Sequence, residues 1–250
     1  MRNSVRVLFV VALAIVAFST VAKADVFTFT ANGTPTGGNQ TVSAKVVVTT
    51  INGGLSLAIS NLISNPTAQG QILTGLQFNL SHTLSGAALQ TTGSWTQVNF
   101  NTNPFASTVT QNGWGATSSF NGNPSSFTIC AGPTGNGCSW KPNGIIGGPG
   151  TAGAYTNANP SITGNGNPNS HGTYLLGNGG SPVSFVITAS NVHSTDKVSD
   201  FISSVTFQFG TTSGTLLGGI GTPVPEPSSF LLFGSGLAAL VGVARRKLRA

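Results

Sequence analysis

The side chains able to do chemistry are few and scattered. Outside the two ends of this 250-residue chain the ionisable groups are Asp25, Asp196, Asp200, Lys45, Lys141, Lys197 and the histidines His82, His171 and His193; the single glutamate, Glu226, stands near the C-terminus. General acid–base catalysis needs carboxylates or imidazoles brought together at matched pKa. A glycosidase pair flanks its bond from opposite sides, with carboxyl groups roughly 5–9.5 Å apart. Asp196 and Asp200 stand four residues apart and would share one side of a helix, so they read as a helix-start charge and a solvent-facing charge. The histidines lack the spacing of a metal site. No Gly-x-Ser-x-Gly elbow is present, and Gly144–Gly150 lacks the lysine and helix of a phosphate loop. The chain is therefore not expected to be an enzyme, and no catalytic residue, metal or cofactor is assigned. A hydrolase built on Asp196 or His171 is the remote alternative.

Two further residue types matter. Cys130 and Cys138 flank the Gly/Pro/Asn-rich stretch Ala131–Gly137. In an oxidising compartment two nearby cysteines most often pair, and closing such a loop stabilises by roughly 2–3 kcal/mol. A zinc site is the rival, but it needs four ligands and no other sits nearby in sequence. Trp95, Trp114, Trp140, Tyr155 and Tyr174 lie in or near the loop-rich half. Exposed rings stack on sugar faces while Asn, Ser and Thr bond hydroxyls. Trp114 and Trp140 are thus candidate sugar contacts, with burial in the core as the competing reading.

The two ends carry the strongest signals. Arg2 and Arg6, the apolar run Val7–Phe18 and the small-residue site Ala22-Lys23-Ala24 are the order of a secretory signal peptide, residues 1–24, cut between Ala24 and Asp25. The apolar run is shorter than the ~20 residues of a membrane span. This implies passage through the Sec translocon and removal by signal peptidase. At the other end, Val224-Pro225-Glu226-Pro227 is held extended, because each proline fixes its own φ and disfavours helix in its predecessor. Ser228–Ala244 follows without a charge, about 25 Å of helix against a hydrocarbon core of ~30 Å. Its eight large apolar side chains contribute about 2.4–4.8 kcal/mol to insertion, eroded by glycines, so the helix is a marginal anchor. Arg245, Arg246, Lys247 and Arg249 then place the tail in the cytoplasm and the body outside.

Pro225-Glu226-Pro227, the short apolar helix and the Arg-rich end together resemble the PEP-CTERM sorting signal of exopolysaccharide-producing Gram-negative bacteria. That resemblance implies recognition by exosortase, a membrane protease-transpeptidase that removes the tail near the Pro-Glu-Pro. It covers residues 223–250 and is silent about the body.

The body, residues 25–222, is neutral by count: three aspartates against three lysines. Charged residues are 6% of the chain, against about 25% in ordinary soluble proteins. Nucleic-acid binding, which needs a basic folded surface, is excluded as an expectation. Period-two alternation marks strands at Val42–Val48, Leu55–Ile59 after the turn Asn52-Gly53-Gly54, Leu76–Leu80, Val183–Ile187 and Val205–Phe209. Val26–Thr30, Ser94–Phe100 and Ser126–Cys130 are further strands. Many short strands between Gly/Asn/Pro turns predict an all-β, antiparallel β-sandwich or jelly-roll-like body between the signal helix and a transmembrane helix. One two-turn helix is predicted, capped by Ser194-Thr195, with Asp196 in its first turn and Val198, Phe201 and Ile202 on one face.

The expectation is an exported protein, anchored transiently in the inner membrane through its C-terminal helix and then resident at the cell surface or in the extracellular matrix. Its role would be structural or adhesive, with exopolysaccharide as neighbour. A carbohydrate-binding module is the alternative.

Overall fold

Alternating apolar side chains with β-branched neighbours can bury one face only by pairing into sheets, and two sheets result. The computed structural model describes residues 24–63, 68–91, 95–99, 103–109, 114–118, 125–131, 133–134, 137–138, 145–146, 174–176, 182–210 and 216–223. The predicted signal helix and Ser228–Ala244 lie outside these residues; among those described, no helix is long and apolar enough to cross a membrane.

The first sheet begins as a meander of β1 (Val26–Gly33), β2 (Val42–Ile51) and β3 (Gly54–Asn61). Ile51 pairs directly with Gly54, so the β2–β3 connection is the two residues Asn52-Gly53, and Gly53 takes a φ of 83° there. Such tight turns need positive φ, which glycine adopts without steric cost. The chain then enters the second sheet as β4 (Leu73–Leu80) and returns for β5 (Ala88–Thr91). It builds the second sheet further with β6 (Trp95–Asn99), β7 (Asn103–Val109), β8 (Trp114–Ser118) and β9 (Ser126–Ala131). β10 (Pro133–Thr134) and β11 (Gly137–Cys138) form a separate ribbon, before β12 (Ile145–Ile146) and β13 (Tyr174–Leu176) rejoin the second sheet. β14 (Val183–Thr188) belongs to the first sheet. After the helical turn α1 (Val198–Phe201), β15 (Ile202–Phe209) and β16 (Leu216–Gly218) lie in the second sheet and β17 (Ile220–Pro223) in the first.

The first sheet runs β17-β1-β2-β3-β14-β5, antiparallel throughout; the second runs β16-β15-β4 and then branches to β9-β8 and to β12-β13-β6-β7. Directly opposed residues share a face, and rows of apolar side chains cross each sheet. Phe27, Val48, Leu57 and Phe185 form one row; Phe207, Leu76, Ile129 and Ala116 form another. The inward faces of both sheets merge into one core. β9 is buried at all six positions, so it is covered on both faces.

Each strand named from the sequence is present. Two details differ. β12 and β13 run parallel, an exception to the antiparallel rule, because they are far apart in the chain and need no tight turn. The helix is shorter than predicted: α1 is four residues with Lys197 at its N-cap, and Ser194-Thr195 lie outside it. Ile202 has already entered β15, paired with Leu80; the β-branched run that follows gains more by pairing with β4 than by extending a helix.

Candidate functional site

The most specific sequence signal starts at the end of β17, so the site is built from that edge. β16 belongs to the second sheet and β17 to the first, and the single residue between them is Gly219. Here the chain turns the corner of the molecule, donating the Gly219 N–H to the Val205 carbonyl at 2.8 Å. A Cβ at 219 would lie 2.7 Å from the Phe207 ring and 3.2 Å from the Val205 oxygen. Only glycine fits without displacing core atoms.

β17 is the outermost strand, paired on one side only, with Thr30 opposite Ile220 and Phe27 opposite Pro223. All four residues are exposed, Ile220 at 73%. What holds the strand is backbone pairing and the aromatic pair Phe27–Phe29, whose centroids lie 5.0 Å apart. Both rings close over Gly221, where a Cβ would come within 2.6 Å of Phe27 and 2.9 Å of Phe29. Aromatic cover of an edge glycine substitutes for the missing side chain.

The Pro223 end of the same strand pair holds Asp25. Its N–H donates to Thr50 Oγ1 (3.0 Å), its carbonyl accepts the Thr50 N–H (3.1 Å), and its carboxylate accepts the Val198 N–H (2.7 Å). Thr50 is fully buried and its hydroxyl donates to the Asp196 carbonyl at 3.0 Å. A carboxylate on the first N–H of a helical turn satisfies a donor that the turn itself leaves open. Asp25 thus caps α1 from 173 residues away, a role with no local sequence signature.

The other candidate residues are accounted for individually. Asp196 and Asp200 serve nearby backbone: Asp196 accepts the His193 N–H (2.7 Å) and Asp200 the Lys197 N–H (3.4 Å). His193 is exposed and its Nδ1 lies 3.4 Å from the Asp196 carboxylate, while His82 Nδ1 meets the Asp200 carbonyl at 2.5 Å. Among the described residues no group of His, Cys, Asp or Glu could hold a metal ion; His171 lies outside them.

Trp114 is corrected: it is 8% exposed and packs its ring on Phe185 of the opposite sheet, centroids 5.3 Å apart. It begins a strand rather than lying in a loop, so its ring is committed to the core and is not offered to a sugar. Trp140 lies outside the described residues. Cys130 is buried on β9, and no described cysteine is free. Cys138 stands opposite Pro133 in the β10–β11 ribbon. Pro225, Glu226, Pro227, Arg245, Arg246, Lys247 and Arg249 lie outside the described residues; Ala24 and Asp25 are the first two within them.

The arrangement defines a class: a two-sheet all-β body, with its described carboxylates tied into backbone contacts, whose last described strand is an edge that leads in sequence into a proline-bracketed glutamate. Residues 223–247 match the family model of the PEP-CTERM protein-sorting motif, so the chain carries that signal. The match begins at the residue on which β17 ends. The motif marks an exported protein sorted by way of the membrane protein exosortase. Neither the curated proteins nor the solved structures yielded a significant match to the chain.

Proposed function

We propose that this chain is a non-enzymatic, exported β-sandwich cargo, routed through the Sec translocon, cut by signal peptidase between Ala24 and Asp25, and released from a temporary C-terminal membrane helix by an exosortase-like protease acting near Pro225-Glu226-Pro227. Its destination is the cell surface or matrix, where its role is structural or adhesive beside exopolysaccharide. The carrying observation is the sorting motif beginning at the last residue of an exposed edge strand. A protease gripping an extended peptide needs such a segment outside the core, and all four residues of β17, which lead into it, are exposed. A Cys130–Cys138 disulfide is part of this proposal and fits an oxidising destination. Burial of Trp114 removes one of the two aromatic residues on which a sugar-binding reading rested.

The test compares the wild-type protein with Pro225-Glu226-Pro227→Ala-Ala-Ala in its own host, by fractionation and intact mass spectrometry. Wild-type material should begin at Asp25, lack the basic tail and carry both thiols oxidised, while the variant should keep its tail and remain with the membrane. Identical processing and location in both would refute the sorting assignment.

A further inference from the structure

The outer face of the first sheet carries the residues that alternate with its core. Thr222, Thr28, Val47, Ala58 and Ser184 form its middle row, one from each of β17, β1, β2, β3 and β14. Ile220, Thr30, Lys45 and Ser60 form the row on one side, and Val26, Thr49, Ser56 and Val186 the row on the other. Leu62 follows the inward Asn61 and continues the ladder past β3, its N–H on the Ser43 carbonyl at 2.8 Å. The two exposed large hydrophobic side chains among the described residues, Ile220 at 73% and Leu62 at 45%, thus both border this face. Among the described residues the hydroxyls of Thr30, Ser60 and Ser184 have no hydrogen-bond partner, and Lys45, the one charge on the face, has no ion pair.

We propose that two copies of this chain associate through this face, first sheet against first sheet. Every residue used lies within the body, so the assignment stands apart from how either terminus is processed. Three observations select a second copy as the occupant. The face is self-complementary: a hydroxyl both donates and accepts, so rows of Ser and Thr bond to copies of themselves, while Val47, Ala58, Ile220 and Leu62 supply apolar contact. The body is neutral by count, three aspartates against three lysines, so no net charge holds copies apart. The area also suffices. Five strands about 4.8 Å apart and about eight residues rising about 3.3 Å each give a face of roughly 20 by 26 Å, so two such faces bury about 1,000 Å², the lower bound for a specific interface. The free edge of β17 is the poorer route, because Pro223 has no N–H and the neighbouring Gly219 N–H is committed to Val205. Lys45 then fixes the orientation. Val47 is central and faces its own copy; parallel strands would bring the two Lys45 ammoniums together. With antiparallel strands Lys45 meets the second copy's Thr49, and the ammoniums stand about 13 Å apart, beyond the screening length of about 8 Å.

Sedimentation equilibrium of the protein purified from its own host tests this, at concentrations from about 5 to about 200 μM, which bracket micromolar affinities. Wild type should pass from monomer to dimer across that range; monomer throughout overturns the proposal. Val47→Arg sets like charges against each other at the centre of the face and should lower the association constant about tenfold or more. Ala58→Arg, on the neighbouring strand, should do the same. Thr206→Arg is the control: Thr206 is half-buried between the inward Val205 and Phe207 of β15, on the outer side of the second sheet, and dimerisation there should match wild type. Circular dichroism checks that each variant keeps its fold, and if Val47→Arg does not, Ala58→Arg decides. Dimers that survive both substitutions on the face, or that are lost as readily with Thr206→Arg, overturn the assignment.

Discussion

At the scale of single residues, what this body does with polarity is mostly structural. Thr50, fully buried, joins Asp25, just before β1, to the loop before α1. Asp25 reads in sequence only as the residue after a cleavage site; its capping of α1 depends on a partner 173 residues away and could not be seen locally. Trp114 was equally opaque, since an aromatic among Gly and Asn residues looks like a loop residue until its strand is paired. Thr128 is the opposite case. It is 1% exposed on β9, and its hydroxyl has no hydrogen-bond partner among the described residues. A buried donor left unmade costs about 1–3 kcal/mol, so Thr128→Val should stabilise the protein by about 1 kcal/mol, a rise in Tm of roughly 2–4 °C for a body of this size. Thermal unfolding followed by circular dichroism checks it, and a lower Tm would show that the hydroxyl finds a partner.

At the scale of elements, the last corner of the chain governs how the sorting signal is presented. β16 and β17 are joined by one glycine yet belong to different sheets, so the C-terminal segment fastens the two sheets together before it leaves the body. Gly219→Val places side-chain atoms against the Phe207 ring and the Val205 carbonyl and should cost roughly 1–3 kcal/mol, the range for overpacking. Gly218→Ala is the control: nothing lies within 4 Å of a Cβ there, and stability should stay within about 0.5 kcal/mol. Equal losses from both, measured by urea unfolding, would mean that the corner is not packed as described. The strands themselves were legible, because alternation such as Val42, Ala44, Val46, Val48 admits few alternatives to a half-buried strand. The helix length was not: the sequence contains capping residues upstream, but pairing of Ile202 with Leu80 ends the helix after one turn.

At the scale of the whole molecule, the last described strand ends at Pro223, the residue at which the sorting motif begins. A mature protein ending at Pro223 should match the stability of the body with its tail, whereas one ending at Gly219 uncovers the Phe27 and Phe29 rings and should lose about 2–4 kcal/mol, on the scale of 1.5–3 kcal/mol for burying one such side chain. Chemical denaturation of the two truncated proteins measures the difference, and equal midpoints would show that β17 is dispensable. The amino-acid sequence by itself determined the C-terminal sorting motif, the all-β class and the inward faces of the strands, because each is written in contiguous residues: proline spacing, charge order, period-two alternation. Only the tertiary structure decided which strands pair, that Trp114 is core, that Asp25 caps a helix, and that Asp25 and Pro223 share one end of one strand pair. Those facts depend on contacts between residues far apart in the chain, whose partners are chosen by the packing of both sheets around a common core rather than by any neighbour in sequence.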